Sequence, residues 1–259
     1  MPIRKRSCGG VIEKDGRLEM KMKIWIVTAF SAAFMASAAE GQPVISWDFD
    51  RMENGVAVSA DGKYQAKVIR SEHVAAVPGK LGNAVRIGGK YKGNQAGGLS
   101  VKNFKFDFTK PFTVEILVRF EEKIERKQRR EIFSMADTEH GPGIRFSLYY
   151  DCLELSTGDG KKVNQLRTAS SVLQVSPDQW HLLTIAGDGK KITIYYDGVP
   201  AAEKEMAVIP VRKTKFLSVG SYKNGLAYPL NGAVDELRFY DFCKTSAQVA
   251  DQYVAIFGE

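Results

Sequence analysis

Tyr91 and Asn94 stand in one glycine-rich stretch, and Tyr222, Asn224 and Tyr228 stand in another. A tyrosine ring offers a flat apolar face with a polar tip, and an asparagine amide offers donors and acceptors together. Rings of that kind stack on pyranose faces, and amides hold the hydroxyls. Both stretches are therefore candidates for carbohydrate contact. The same tyrosines could equally cap the edge of a sheet, and the sequence leaves both readings open.

Cleaving a glycosidic bond asks for more. It takes two carboxylates, about 5 Å apart for retention or farther for inversion. On a strand only residues i and i+2 share a face, so such a pair should appear as acids at alternate positions, in runs such as Glu-x-Asp-x-Glu. No such run occurs. Asp235 and Glu236 are adjacent and should face opposite ways, while Glu203 and Glu205 fall in a hydrophilic stretch after Pro200 that reads as a loop. His73, His140 and His181 show no metal-ligand spacing. His181 is expected to pack beside Trp180, itself read as core or core-edge because it begins an apolar strand. There is no Gly-x-Ser-x-Gly elbow, and Gly88–Gly98 lacks the Lys-Ser/Thr end of a phosphate loop. No residue is assigned a catalytic role.

Charge first suggests an acidic partner, with a formal net charge of +7 on 259 residues. Its distribution changes that reading. Ile24–Met35 is an uncharged apolar run of about 12 residues, roughly 18 Å as a helix and too short for a bilayer core of about 30 Å. Lys21 and Lys23 precede it and Ala36-Ser37-Ala38-Ala39 follow, the three parts of a secretory signal peptide. Residues 1–39 thus read as a leader, with Met20 or Met22 as its expected start and cleavage near Ala38 or Ala39. The leader holds seven basic and three acidic residues, so +4 of the +7 belongs to it and +3 to the rest. Support for nucleic-acid binding goes with it, and no membrane anchor is expected after cleavage. Export places the chain at the cell surface, in the periplasm or outside the cell. Cys8 is lost with the leader, leaving Cys152 and Cys243, which can form a disulfide or remain two buried thiols.

The elements that must position these residues are strands. Val114, Ile116, Val118 and Phe120 alternate on one face, as do Phe146, Leu148 and Tyr150, and Ile192, Ile194 and Tyr196. Asp61-Gly62, Asp159-Gly160, Asp188-Gly189, Asp197-Gly198, Asn224-Gly225 and Asn231-Gly232 separate them with turn chemistry. Many short strands and little helix predict a two-sheet antiparallel β-sandwich, or jelly roll, as one domain over residues 40–259. A short C-terminal helix is expected where Thr245 and Gln248 form a capping box, with Val249, Tyr253 and Ile256 as its docking stripe. The charged stretch Glu121–Glu131 reads as a solvated loop. In Ala233–Phe239 parity puts Asp235 on the face of Leu237 and Phe239. A buried carboxylate needs partners, either backbone N–H groups or a cation.

Several segments in one order resemble the laminin-G-like jelly rolls of the concanavalin A-like lectin/glucanase superfamily. They are Trp47-Asp-Phe49, Pro78–Gly88, Phe112–Val118 (with Leu117 where Trp is usual), Gln179–Leu183, Ile194–Gly198, Phe216–Gly220 and Leu230–Tyr240 with the final helix. The resemblance implies a structural calcium between the N-terminal strand and the closing strand, for which Asp48 or Asp50 would join Asp235, and no other cofactor. It implies three kinds of function, since this fold hosts several. The first is a lectin-like domain that binds a polysaccharide or other glycan without catalysis. The alternatives are an adhesion module for an extracellular protein, and a divergent glycoside hydrolase or polysaccharide lyase.

Overall fold

The computed structural model describes residues 41–91, 93–121, 128–170 and 178–258. The leader expected at residues 1–39, with Cys8, lies outside the described residues, as do positions 122–127 of the charged stretch.

Alternation places the core. On β7 (Phe112–Phe120) the residues Val114, Ile116, Val118 and Phe120 are all buried in it. Phe146 and Leu148 of β9 (Gly143–Tyr149) join them, as do Ile192 and Ile194 of β13 (Lys191–Tyr196) with Tyr196 packed against the cluster. Tyr150, expected on the same face as Phe146, instead lies past the strand end at φ 57°, in the turn that leads to β10 (Cys152–Gly158).

Two antiparallel sheets pack face to face over this single core. The first runs β14 (Val199–Glu205), β13, β12 (Trp180–Gly187), β7, β16 (Gly232–Tyr240), β5 (Asn83–Ile87), β4 (Val74–Pro78), with β1 (Ile45–Trp47) also along β16. The second runs β11 (Val163–Arg167), β10, β9, β8 (Arg129–Ala136), β15 (Phe216–Val219), β6 (Gly98–Lys102), β3 (Gln65–Ile69), β2 (Val56–Val58). Asp159, Asp188 and Asp197 each sit in a hairpin turn, as their Asp-Gly pairs predict; Asp188 Oδ1 accepts the N–H groups of Lys190 and Lys191 at 2.8 and 2.7 Å. Helix α1 (Ser246–Phe257) begins with the expected capping box and lays the buried Val249 on Ala186 and Tyr195, outside the first sheet. Tyr253 and Ile256 of its stripe are only half-buried.

Four expectations are corrected. Glu203 and Glu205 lie on β14 and not in a loop; an edge strand exposed on both faces reads as hydrophilic, and Glu203 pairs with Lys191 at 2.9 Å. The charged stretch is not wholly solvated, because its end enters β8, where Arg130 is 2% and Glu131 0% exposed. Cys152, opening β10 in the second sheet, and Cys243, against α1 outside the first, are free thiols and not a disulfide.

The fourth concerns Asp235. Glu236 sits at φ 50° where the register of β16 against β7 shifts, between Asp235 and Arg238. One extra residue inverts the facing of a strand. Val234, Leu237 and Phe239 enter the core, whereas Asp235 pairs opposite Leu117 on the outer face.

Candidate functional site

The two glycine-rich stretches become one surface. One links β5 to β6 and the other links β15 to β16. Because Val219 of β15 pairs with Leu99 of β6, the end of one strand lies beside the start of the other. The loops therefore emerge together and bond to each other: the N–H of Asn94 donates to Leu226 O at 3.1 Å, that of Ala96 to Gly225 O at 3.3 Å, and that of Tyr228 to Tyr91 O at 3.1 Å. Arg70 clasps both, donating to the carbonyls of Ala96 and Gly225 at 3.4 Å and to Asn94 Oδ1 at 2.8 Å. Gly225 is required here: at φ 83° it is left-handed, and a Cβ would collide with Arg70 Nη1 and Ala96 O.

The tyrosines form a row. Ring centroids of Tyr91 and Tyr228 are 5.2 Å apart, and those of Tyr228 and Tyr222 are 5.9 Å apart. Tyr222 is only 3% exposed and lies over the Arg145 guanidinium at 4.3 Å, so it supports the row from beneath instead of offering a face. Arg145 in turn makes a bidentate pair with Glu131, at 2.9 and 2.8 Å, and both side chains are buried. Tyr228 is half-buried and donates its hydroxyl to Glu139 at 2.9 Å. Burial and that carboxylate push its pKa up to about 12, so the phenol keeps its proton. The half-buried Tyr91 accepts the N–H of Arg129 on its hydroxyl at 3.2 Å. Asn94 is exposed, and Asn224 is half-buried with its N–H on Ser218 Oγ at 3.1 Å. A cavity of about 460 Å³ opens beside both asparagines.

The acids around this surface are each committed. Burial raises the pKa of Asp137, but the N–H groups of Arg212, Thr214 and Lys213, at 2.9, 2.6 and 3.0 Å, outweigh it and hold the carboxyl below its ordinary range. Burial likewise opposes ionisation of Glu154, yet Arg129 and Arg167 keep its pKa lowered. His181 is buried against Tyr196 and Asp197, 2.8 Å from each, because the hairpin register sets Leu183 opposite Tyr196. Trp180, its expected neighbour, is half-buried at the strand start with the Arg119 guanidinium 5.3 Å away.

Asp48, Asp50 and Asp235, the residues expected to hold a calcium ion, each commit one carboxylate oxygen to backbone N–H groups, while Asp235 Oδ1 is buried without a hydrogen-bond partner. Asp48 Oδ1 accepts the Asp50 N–H at 3.1 Å, and Asp50 Oδ1 accepts the Asn83 N–H at 2.7 Å. Asp235 Oδ2 accepts the N–H groups of Lys80 and Leu81, both at 3.0 Å. Among the described residues no three His, Cys, Asp or Glu side chains are grouped to share a metal. Asp235 thus ties the turn between β4 and β5 to β16, and burial lifts its pKa to about 7. Asp235→Ala strands two N–H donors and is expected to cost about 1–3 kcal/mol in urea unfolding. Asp235→Asn keeps an acceptor and should cost clearly less. Equal losses would refute the tie.

Residues 92–250 match the Laminin G 3 family, described as the concanavalin A-like lectin/glucanases superfamily. The chain belongs to this family. The family's fold also recurs among solved structures. Domain 4 of a GH43 extracellular arabinanase from Geobacillus stearothermophilus, solved with arabinotriose, has a TM-score of 0.61 at 19% identity, covering 82% of this chain and 98% of that one. The binding domain of botulinum neurotoxin DC, in complex with SialylT, has a TM-score of 0.62 at 10% identity over 83% of this chain. The binding domain of Paraclostridial Mosquitocidal Protein 1 has a TM-score of 0.61 at 16% identity over 83%. The chain spans about half of these two binding domains, 51% and 52%. At such identities the likeness speaks for the fold alone. No curated protein sequence matches the chain.

Proposed function

We propose that this chain is an exported, lectin-like domain that binds glycans without catalysis, through the paired loops that carry Tyr91, Asn94, Asn224 and Tyr228. One observation carries the reading. Two loops remote in sequence, each singled out for its aromatic and amide residues, are bonded into a single rim that carries half-buried tyrosine rings, the exposed Asn94 and the half-buried Asn224. The glycan complexes of two structural neighbours support the same chemistry. The leader pattern before residue 40 supports export, and among the described residues no helix is long and apolar enough to cross a membrane. The commitment of Glu131, Asp137 and Glu154 to fixed partners favours binding over hydrolysis, which needs two facing carboxyls.

A screen of neutral and acidic polysaccharides, with and without Ca²⁺, tests it. Asn94→Ala and Tyr228→Ala should each weaken binding roughly tenfold or more. Tyr228→Phe should keep most of the affinity, because it keeps the ring. Absence of binding to every glycan in both conditions overturns the proposal.

A further inference from the structure

The geometry points to a negatively charged sugar as the ligand of this surface, with Lys213 and Lys223 holding a carboxylate or sulfate oxyanion in the cavity beside Asn94 and Asn224. The inference rests on the glycan-binding reading and adds the charge of the ligand.

The cavity, about 460 Å³, is lined by Asn94, Asp137, Lys213, Thr214, Lys223 and Asn224, with Phe216 and Leu226 completing it. Its charge balance is one-sided. Lys213 and Lys223 make no ion pair among the described residues. Asp137, the acid in the lining, has both oxygens occupied by the N–H groups of residues 212–214 and is not paired with either lysine side chain. Exposed Arg212 and Lys215 flank Lys213, and Arg70 is fastened to Asn94 at 2.8 Å. Positive charge therefore gathers beside the side chains of Asn94 and Asn224, both of which line the cavity. Leu226, 46% exposed, gives the sugar's C–H face an apolar contact.

A second cavity shows that this is not general surface charge. Of about 720 Å³, it is lined by Asp48, Asp50 and Glu53 against the single cation Arg51, and would repel the same ligand. Like charge placed elsewhere sharpens selection at the cationic cavity. Ammonium groups bind oxyanions as point charges, without demanding one planar geometry, so a uronate and a sulfated sugar share the recognition.

Calorimetric titration of the whole chain with polygalacturonate, chondroitin sulfate and neutral arabinan, at about 50 and 500 mM NaCl, tests the inference. At least one acidic polymer should bind more tightly than arabinan and lose affinity at high salt, since screening weakens exposed charge pairs. Whichever polymer binds identifies the source of the oxyanion. The Lys213→Ala/Lys223→Ala double variant should lose about tenfold or more for that polymer, and the double arginine variant should retain it. Salt-insensitive preference for arabinan, or an acidic polymer indifferent to the double alanine variant, overturns this inference and leaves glycan binding standing. No binding to any of the three counts against both.

Discussion

Arg145→Ala is expected to cost about 3–5 kcal/mol of stability and to remove glycan binding with it. The Arg145 side chain is 4% exposed and that of Glu131 is 0% exposed, so deletion leaves a carboxylate in the protein interior without its countercharge. For a domain of this size such a loss lowers Tm by roughly 6–20 °C. The binding effect follows from what else the guanidinium does. It carries the Tyr222 ring at 4.3 Å and donates to the Glu139 carbonyl at 3.3 Å, and Glu139 in turn receives the Tyr228 hydroxyl. Arg145→Met/Glu131→Leu separates the two roles: apolar replacement of both partners should restore much of the stability, yet not the ordered tyrosine row. Urea unfolding and calorimetric titration on the three proteins read this out. A double variant that bound glycan normally would remove Arg145 from the site.

Phe239→Ala is the second large effect, about 3–5 kcal/mol. Phe239 is 0% exposed on β16, and its ring lies 5.2 Å from Phe104 and from Phe106, 6.4 Å from Trp47 and 6.4 Å from Phe133. It joins the two sheets, so truncation opens a cavity that neither sheet can close alone. Phe239→Leu should recover part of the loss. Phe239 also lies toward the end of β16 away from the paired loops, which precede Gly232. Folded Phe239→Ala should therefore keep wild-type glycan affinity, whereas Arg145→Ala should not. A Phe239→Ala protein with an unchanged unfolding midpoint would refute the hub.

Legibility followed distance along the chain. The faces of β7, β9 and β13 were readable because alternation is a property of neighbouring residues, and the cap at Thr245 because its partner is three residues away. The candidate residues were likewise visible by type, Tyr91 and Asn94 in one loop, Tyr222, Asn224 and Tyr228 in the other. Their roles were not. Tyr222 turned out to be a support, and the lysines, Asp137 and Arg145 beneath or beside the row were not singled out. A Lys or Arg in a sequence carries no mark of whether a carboxylate faces it. Alternation gave no signal for Arg145, because it falls on the face of β9 opposite the core residues Ile144, Phe146 and Leu148, where a charge is ordinary.

By itself the amino-acid sequence determined the strand pattern, the turn chemistry, the C-terminal helix and membership in a sandwich family, all of which are encoded in local periodicity and in motifs kept in order. Only the tertiary structure decided which loops meet, that Asp235 is buried on the side of its sheet away from the core, under the turn between β4 and β5, and that Cys152 and Cys243 lie apart. Each of these depends on one register step or on a pairing between remote segments. A bulge at Glu236 changes a single residue's φ and thereby reverses the facing of what lies beyond it. Val219 beside Leu99 is a contact that no local pattern specifies, and it is the one that makes two loops a single surface.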